Sequence, residues 1–420
     1  MCIKGVIMNK TMIKNLKRAL LLLLISTILY SCSSKVQNTE TLESKQISNT
    51  STSVEIVTTK AETIESPDNA ELFILNIPIE EEIKYGGVYI KNTIEEFNNL
   101  GFEYGDSLNI TFSNGYEVLD LPYYSGYYNK AGEPLLVGYH GYKYIDLCIT
   151  FGDRMWEEGN FKEGDTANIY LNQKAKFLNN QKLMDITYTD NRNDYSSDEV
   201  FANFRNVNTS FIKDNILYRG ASPIDNKHNR AKYANELMEK ANIQYAIDLS
   251  DTEEDLKKHF AKDDFKSDYY KTLYDNKKIS LSIMSPNYKS EAFTKMVVKV
   301  MTDMSKNDGP YYVHCVEGKD RTGFLCMIIE GLAGASYEEI IADYMKTFEN
   351  YYNVTESNNK AKYDTLKANS IDDMLRYLAG EENKDVDLKD INWANVIGRY
   401  LTDNGLDIND MENWYKKLTK

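Results

Sequence analysis

Cys315 and Arg321 are separated by five residues, with Gly318 between them and Thr322-Gly323 directly behind. Backbone amides of such a loop can converge on a phosphate, and the same positive field favours the thiolate of a cysteine at its base. Arg321 supplies a planar fork that grips two phosphate oxygens. Together these residue types predict transfer of a phosphoryl group to sulfur and then to water.

The elements on either side must position this loop. The run 310–313 is short, aromatic and β-branched, which predicts a buried strand. The apolar run 322–330 predicts a helix, so the loop would lie at a helix N-terminus that attracts anions. Gly318 would let the backbone turn its amides inward, and Gly323 would allow close approach of the helix. Thr322 can donate its hydroxyl to the sulfur when the phosphocysteine breaks down.

The loop is one of three motifs that resemble a known family. Residues 314–323 read His-Cys-x-x-Gly-Lys-Asp-Arg-Thr-Gly, which resembles the active-site loop of the cysteine-dependent tyrosine phosphatases. The similarity is closest to a bacterial subgroup that acts on phosphotyrosine and, in some members, on phosphoinositides. Segments 203–207 and 216–222 resemble its "N-F-R-D … L-Y-R-S" signature, with Asn206 in place of the usual Asp. Segment 245–250 is similar to its "V-I-D-L-R" strand, with Ser where Arg is common.

The resemblance covers residues 198–420 and implies a fold and a chemistry for them. It implies an α/β catalytic domain, in which helices flank a cysteine-phosphatase-like sheet, and a reaction that needs no metal and no cofactor. Cys315 would be the nucleophile, while Arg321 and Thr322 would assist it. The region 280–288 contains no carboxylate, so the proton donor is expected to be Asp320, which matches the subgroup's loop acid.

Other roles for the acidic residues stay open. Asp320 could instead orient Arg321 or a helix amide. Asp251 and Asp275 are further candidates for the proton donor. His314 is expected to be a buried residue that orients the loop.

Six residues are predicted to contact the substrate. They are Glu317, Gly318, Lys319, Gly323, Arg205 and Arg219. Lys319 would favour substrates with additional negative charge, or it would be an ordinary solvated lysine. The resemblance places Arg205 and Arg219 near the active site, where a structural ion pair is the alternative.

The N-terminal segment predicts export. Basic residues precede the apolar run 19–29, which is short for a membrane-spanning helix and ends at Leu29-Tyr30-Ser31-Cys32. This arrangement resembles a bacterial lipoprotein processing site. Residues 1–31 would be a signal peptide, Cys32 would carry the lipid anchor, and 32–68 would be a disordered tether. An ordinary secretory signal without lipid is the alternative, and both place the protein outside the cytoplasm, anchored to the cell membrane or secreted.

The remaining segment, 69–190, predicts a smaller β-rich domain that precedes the catalytic one. Short β-branched and aromatic runs alternate there with turn signals. Residues 132–171 loosely resemble the small β-barrel domain of S-adenosylmethionine hydroxide adenosyltransferases, which suggests a packing or binding module of unassigned partner. The formal charge of −15 argues against nucleic acid as a partner.

The sequence thus predicts a phosphatase for phosphate monoesters, with phosphotyrosine in a protein as the leading substrate. A phosphoinositide or an inositol polyphosphate is the nearest alternative. The alternative from another class is a surface protein that binds through its β-rich domain and keeps an inactive phosphatase-like domain.

Overall fold

Two β-sheets organise residues 72–262 and 267–420, which are the residues described by the computed structural model. The predicted signal peptide 1–31, the tether 32–68 and Cys32 lie outside these ranges. In the described part of the chain, every helix is too short or too polar to span a membrane.

The first sheet closes into a seven-stranded barrel in the order β1-β2-β6-β5-β4-β3-β7. Neighbouring strands are antiparallel, except that β4 and β5 run parallel. The strands are β1 Phe73–Glu82, β2 Gly87–Thr93, β3 Ser107–Phe112, β4 Glu117–Tyr124, β5 Pro134–Val137, β6 Tyr144–Ile149 and β7 Thr166–Gln173. Three short helices accompany them: α1 Ile94–Asn99, α2 Met155–Glu158 and α3 Leu178–Met184.

Strand alternation explains the barrel. Val88 and Ile90 of β2 are fully buried in the barrel core, whereas Tyr89 between them points outward. The same alternation in the other strands fills the interior with aliphatic and aromatic side chains. The expected β-rich character of this segment is confirmed, although the exact domain limits at 190 and 198 stay predictions.

The second sheet has five strands in the order β11-β10-β12-β9-β8. Strands β11, β10, β12 and β9 are parallel, and β8 is antiparallel to β9. The strands are β8 Arg205–Asn206, β9 Leu217–Gly220, β10 Tyr245–Asp248, β11 Ile279–Leu281 and β12 Tyr311–His314. Loops at the carboxyl ends of parallel strands gather at one edge, where α/β proteins place their sites.

Helices flank this sheet and confirm the mixed α/β class. They are α4 Asp198–Phe201, α5 Ala231–Lys240, α6 Glu253–Phe260, α7 Asp268–Asp275, α8 Glu291–Lys306, α9 Asp320–Ala333, α10 Tyr337–Tyr352, α11 Lys360–Ala368, α12 Ile371–Ala379, α13 Trp393–Asp403 and α14 Ile408–Leu418. Helix α9 follows β12 and is buried at every position from 322 to 333. Apart from Thr322 and Glu330, these buried residues are apolar or glycine, as expected for a helix in the centre of a core.

Candidate active site

The loop 315–319 connects β12 to α9 and has Cys315 at its base, with 4% of that residue exposed. Gly318 has φ +69°, and a Cβ there would lie 2.1 Å from the carbonyl oxygen of Gly220. No L side chain fits this position, so glycine is required for the loop to turn against the end of β9.

Neighbouring strands fix the two ends of the loop. The amide of Ser222, just beyond β9, donates to the carbonyl of Val316 at 3.0 Å. The amide of Leu249, just beyond β10, donates to the carbonyl of His314 at 3.0 Å. These two hydrogen bonds therefore hold the loop between the segments that follow β9 and β10.

Arg321 lies in the first turn of α9 and is half-buried. Its Nη1 donates to the carbonyl of Leu249 at 3.0 Å. Within residues 72–262 and 267–420, no carboxylate forms an ion pair with Arg321. A guanidinium held by one neutral contact keeps donors for an anion in the loop.

Thr322 is fully buried, and its hydroxyl has no hydrogen-bond partner among the described residues. A buried unpaired hydroxyl is costly, which makes it a marked feature of this site. Gly323 has a packing role instead, because a Cβ there would lie 2.6 Å from the ring of Tyr344 and 3.2 Å from Arg219. The unpaired hydroxyl of Thr322 and the close packing at Gly323 are compatible with the roles predicted for these two residues.

Asp320 and Lys319 form an ion pair, with Nζ 2.7 Å from each carboxylate oxygen. Burial tends to lower the pKa of Lys319, but Asp320 and Glu317 together hold it well above its usual value. The ammonium is therefore charged and neutralises Asp320. To protonate a leaving group, Asp320 would first have to leave this ion pair.

Glu317 is held by residues that the sequence analysis missed. Its Oε1 accepts a hydrogen bond from the hydroxyl of Tyr188 at 2.8 Å and lies 3.6 Å from Nε2 of His228. Its backbone carbonyl accepts from the hydroxyl of Tyr351 at 2.7 Å. No local pattern signals these contacts, because the partners come from distant parts of the chain.

Arg219 is fully buried behind the loop. Its Nη1 contacts Oδ2 of Asp343 on α10 at 2.5 Å, and its Nη2 donates to the carbonyls of Gly318 at 3.1 Å and Lys319 at 3.4 Å. Asn203 donates to the same Gly318 carbonyl at 3.1 Å. These contacts hold the loop from the side of β9.

Arg205 completes this arrangement. Its Nε donates to Oδ1 of Asp343 at 2.7 Å, and its Nη2 donates to the backbone carbonyl of Asp343 at 2.8 Å. Burial alone would raise the pKa of Asp343, but Arg205 and Arg219 lower it to about 2. The contacts of both arginines fit the structural ion-pair alternative, because Asp343 binds both guanidinium groups.

His314 is buried beneath the loop. Its Nε2 lies 3.0 Å from the hydroxyl of Tyr270, which donates to Asp248 at 2.9 Å. Burial lowers the pKa of His314 to about 4, so the imidazole is neutral near pH 7. This agrees with a residue that orients the loop rather than one that takes up a proton.

The other acid candidates lie in different surroundings. Asp251 is buried after β10, with Oδ1 3.6 Å from Nε2 of His259. Asp275 lies at the end of α7, exposed and paired with Lys271 at 2.9 Å. Of the three candidates, only Asp320 directly follows the loop, at the first position of α9. The described ranges contain no group of three or more metal-ligating side chains, and a reaction without metal stays a prediction.

Comparison with known families agrees with this site. A family model described as the tyrosine phosphatase family matches residues 199–420, and the chain belongs to that family. The match spans the five-stranded sheet, the loop and all helices from α9 to α14. A search of curated proteins found no match.

Proposed function

We propose that this protein hydrolyses phosphotyrosine through a phosphocysteine intermediate. Membership of the tyrosine phosphatase family supports phosphatase activity in general. The observation that carries the proposal is the loop itself. A cysteine at the base of a strand–loop–helix turn is combined with Arg321, which has no carboxylate partner in the described ranges, and with the unpaired hydroxyl of Thr322.

The first step transfers the phosphoryl group to sulfur. The Cys315 thiolate attacks phosphorus, a P–S bond forms, and the P–O bond to the tyrosine breaks. Arg321 and the loop amides hold the charge that spreads over the three equatorial oxygens. Asp320, released from Lys319 and protonated from solvent before this step, delivers that proton to the departing phenolate oxygen.

The second step regenerates the enzyme. Water attacks phosphorus and loses a proton to Asp320, the P–S bond breaks, and inorganic phosphate leaves. The Thr322 hydroxyl donates to the departing sulfur and stabilises the thiolate. Its lack of another partner in the described structure supports this role.

Cys315→Ser in the full-length protein tests the mechanism. Turnover of p-nitrophenyl phosphate should vanish, whereas Cys148→Ser, which removes a thiol from β6, should leave it intact. Turnover that survived in Cys315→Ser would contradict a phosphocysteine intermediate. Wild-type protein that binds phosphate without turnover would support the alternative of a binding protein.

A substrate panel separates the substrate classes. Phosphotyrosine peptides, phosphoserine peptides, phosphoinositides and inositol polyphosphates would be compared by kcat/KM. Lys319 is the last residue of the loop, and its charged ammonium keeps highly charged inositol phosphates as the alternative. A clear preference for them over phosphotyrosine peptides would replace the leading substrate.

We also propose that the protein is anchored outside the cytoplasm through a lipid on Cys32. The proposal is supported by the basic and apolar pattern of residues 1–31 alone. Cell fractionation tests it. Cys32→Ser should move the protein out of the membrane fraction, and an unchanged distribution would contradict the anchor.

A further inference from the structure

Three consecutive carbonyl groups of the loop 315–319 are bound by residues outside it. The carbonyls of Val316 and Gly318 accept the hydrogen bonds described above, which come from the segments around β8 and β9. The carbonyl between them, that of Glu317, accepts from the hydroxyl of Tyr351 on α10 at 2.7 Å. Each of these peptide units is therefore held at its oxygen.

Holding the carbonyls also sets the direction of the amides. In a trans peptide unit the N–H points away from the carbonyl. Because Tyr351 binds the carbonyl of Glu317, the amide of Gly318 faces away from Tyr351. The amides of Glu317 and Lys319 are turned in the same way by the contacts to the carbonyls of Val316 and Gly318. Within the described ranges these three amides donate to no other group, so they are free to bind an anion.

The side chain of Glu317 is bound by the segment 185–191, which joins the last barrel helix α3 to the α/β part. The hydroxyl of Tyr188 donates to Oε1 of Glu317 at 2.8 Å. His228 lies between two carboxylates, with Nε2 3.6 Å from the same Glu317 oxygen and Nδ1 3.1 Å from Asp190. The segment precedes residues 199–420, which match the family model. A part of the chain outside the family match thus contacts the loop directly.

Arg230 connects the two tyrosines that bind Glu317. It is 1% exposed, and its guanidinium carbon lies 4.7 Å from the ring centroid of Tyr188 and 4.6 Å from that of Tyr351. The two ring centroids are 5.6 Å apart. The guanidinium is fixed in turn by the carbonyl of Phe201 at 2.9 Å and by Asp190 at 3.0 Å. A buried cation against two aromatic faces restricts where both hydroxyls can lie.

We propose that Tyr188 and Tyr351 are positioning residues of the active site, which fix the Glu317–Gly318 peptide so that the amide of Gly318 faces the phosphate. The proposal rests on the proposed function. Tyr351 acts through the backbone carbonyl of Glu317, and Tyr188 acts through its carboxylate. An amide that is oriented before the phosphate arrives needs no reorganisation during binding or turnover. The segment 185–191 then completes a site whose other parts lie within the family match.

The affinity of the full-length protein for tungstate, a tetrahedral dianion that mimics phosphate, tests the proposal without turnover. Calorimetry should show about fivefold to tenfold weaker binding in Tyr351→Phe, the effect of one hydrogen bond. Tyr188→Phe should weaken binding about threefold to fivefold, because it acts through a side chain. In both variants kcat/KM for p-nitrophenyl phosphate should fall by a similar factor.

Tyr269→Phe is the matched control. It removes a hydroxyl of α7 that donates to the carbonyl of Ile243 at 2.8 Å, which is the same kind of hydrogen bond without any part of the loop. Its melting temperature should fall about as much as that of Tyr351→Phe, whereas its affinity for tungstate should change less than about twofold. Equal weakening of tungstate binding by Tyr269→Phe and Tyr351→Phe would overturn the proposal.

The variant Glu317→Ala separates the two tyrosines. It removes the carboxylate that Tyr188 binds and keeps the backbone carbonyl that Tyr351 binds. In this background Tyr188→Phe should weaken tungstate by less than about twofold, whereas Tyr351→Phe should keep its full effect. A full effect of Tyr188→Phe in Glu317→Ala would overturn the assignment of Tyr188.

The outcomes distinguish this proposal from the proposed function. A wild type that hydrolyses no aryl phosphate, but binds tungstate and loses affinity in Tyr351→Phe, would refute the function and keep the positioning role. An active wild type whose tungstate affinity and kcat/KM are unchanged in both tyrosine variants would keep the function and overturn the positioning role. If the wild type bound no tungstate, the assignment of the Gly318 amide to the phosphate would fall.

Discussion

Arg321 and the pair formed by Arg205 and Arg219 lie on different sides of one loop and have opposite surroundings. Arg321 contacts a carbonyl at the end of β10, whereas Arg219 belongs to β9, and these strands flank β12. Arg321 is half-buried without a carboxylate partner in the described ranges, while Asp343 engages both of the other arginines. The contrast separates a charge available to a ligand from charges committed to holding the loop.

The different surroundings indicate which arginine binds the phosphate during turnover. A buried ion pair contributes little net stability, but removing one partner leaves an uncompensated buried charge. The arginines behind the loop are therefore expected to matter for folding, and the arginine at its front for turnover. Loss of the contacts of Arg205 and Arg219 should therefore lower stability, whereas substitution of Arg321 should lower activity.

The largest effect is expected for Asp343→Ala, because it leaves Arg205 and Arg219 buried without their shared carboxylate. The free energy of unfolding should fall by about 3–5 kcal/mol in urea titrations. Asp275→Ala, which removes an exposed helix carboxylate, is the control and should change it by less than about 0.5 kcal/mol. Similar changes in the free energy of unfolding for the two variants would contradict a structural role for the ion pairs of Asp343.

Arg321→Lys should produce the reverse pattern. It keeps the charge but removes the planar fork, so kcat/KM for an aryl phosphate should fall about a hundredfold to a thousandfold. The free energy of unfolding should stay within about 0.5 kcal/mol of wild type. Arg399→Lys, at an exposed position, controls for the substitution itself. A large loss of stability in Arg321→Lys would mean that Arg321 also serves as a structural support.

The pH dependence of stability tests the buried group beneath the loop. Burial holds the pKa of His314 at about 4, whereas its ordinary value is 6.5, so the unfolded chain binds the proton first as pH falls. The stabilisation from neutral His314 is complete above pH 6.5 and is lost progressively toward pH 4. Relative to His314→Gln, wild type should lose about 3 kcal/mol over this range in urea titrations. A difference that is constant with pH would contradict a neutral buried imidazole.

Asp320→Asn should give the most selective effect. If Asp320 is the proton donor, kcat should fall about a hundredfold for phenyl phosphate, whose leaving group needs a proton. For p-nitrophenyl phosphate the loss should be less than about threefold, because that phenolate departs unprotonated. Equal losses on both substrates would assign Asp320 to orienting the loop through Lys319 instead.

The loop and its two elements were predictable because their signals are local. The run 310–313 predicted a strand that the structure has at Tyr311–His314, and 322–330 predicted a helix that runs from Asp320 to Ala333. Gly318 predicted a sharp turn, and its φ of +69° lies in the left-handed region that such a turn uses. The short alternating runs likewise predicted a β-rich segment in 69–190.

What the sequence did not predict depends on long-range contacts. Asp343 lies on α10 and has no motif around it, so the side of the loop that Arg219 faces could not be read from spacing. Tyr188 and His228 reach Glu317 from distant segments for the same reason. The barrel's closure and its parallel β4–β5 pair also come from tertiary packing, which no local propensity encodes.

The burial of α9 on every side restricts its motion. A helix enclosed along residues 322–333 can shift only if the surrounding core opens, which is among the least frequent events in a folded protein. The start of α9, which directly follows the loop 315–319, is therefore expected to move little. The barrel loops at 83–85 and 139–141 consist of exposed residues and should open far more readily. Backbone amides of α9 should accordingly exchange with deuterium far more slowly than those of the two barrel loops.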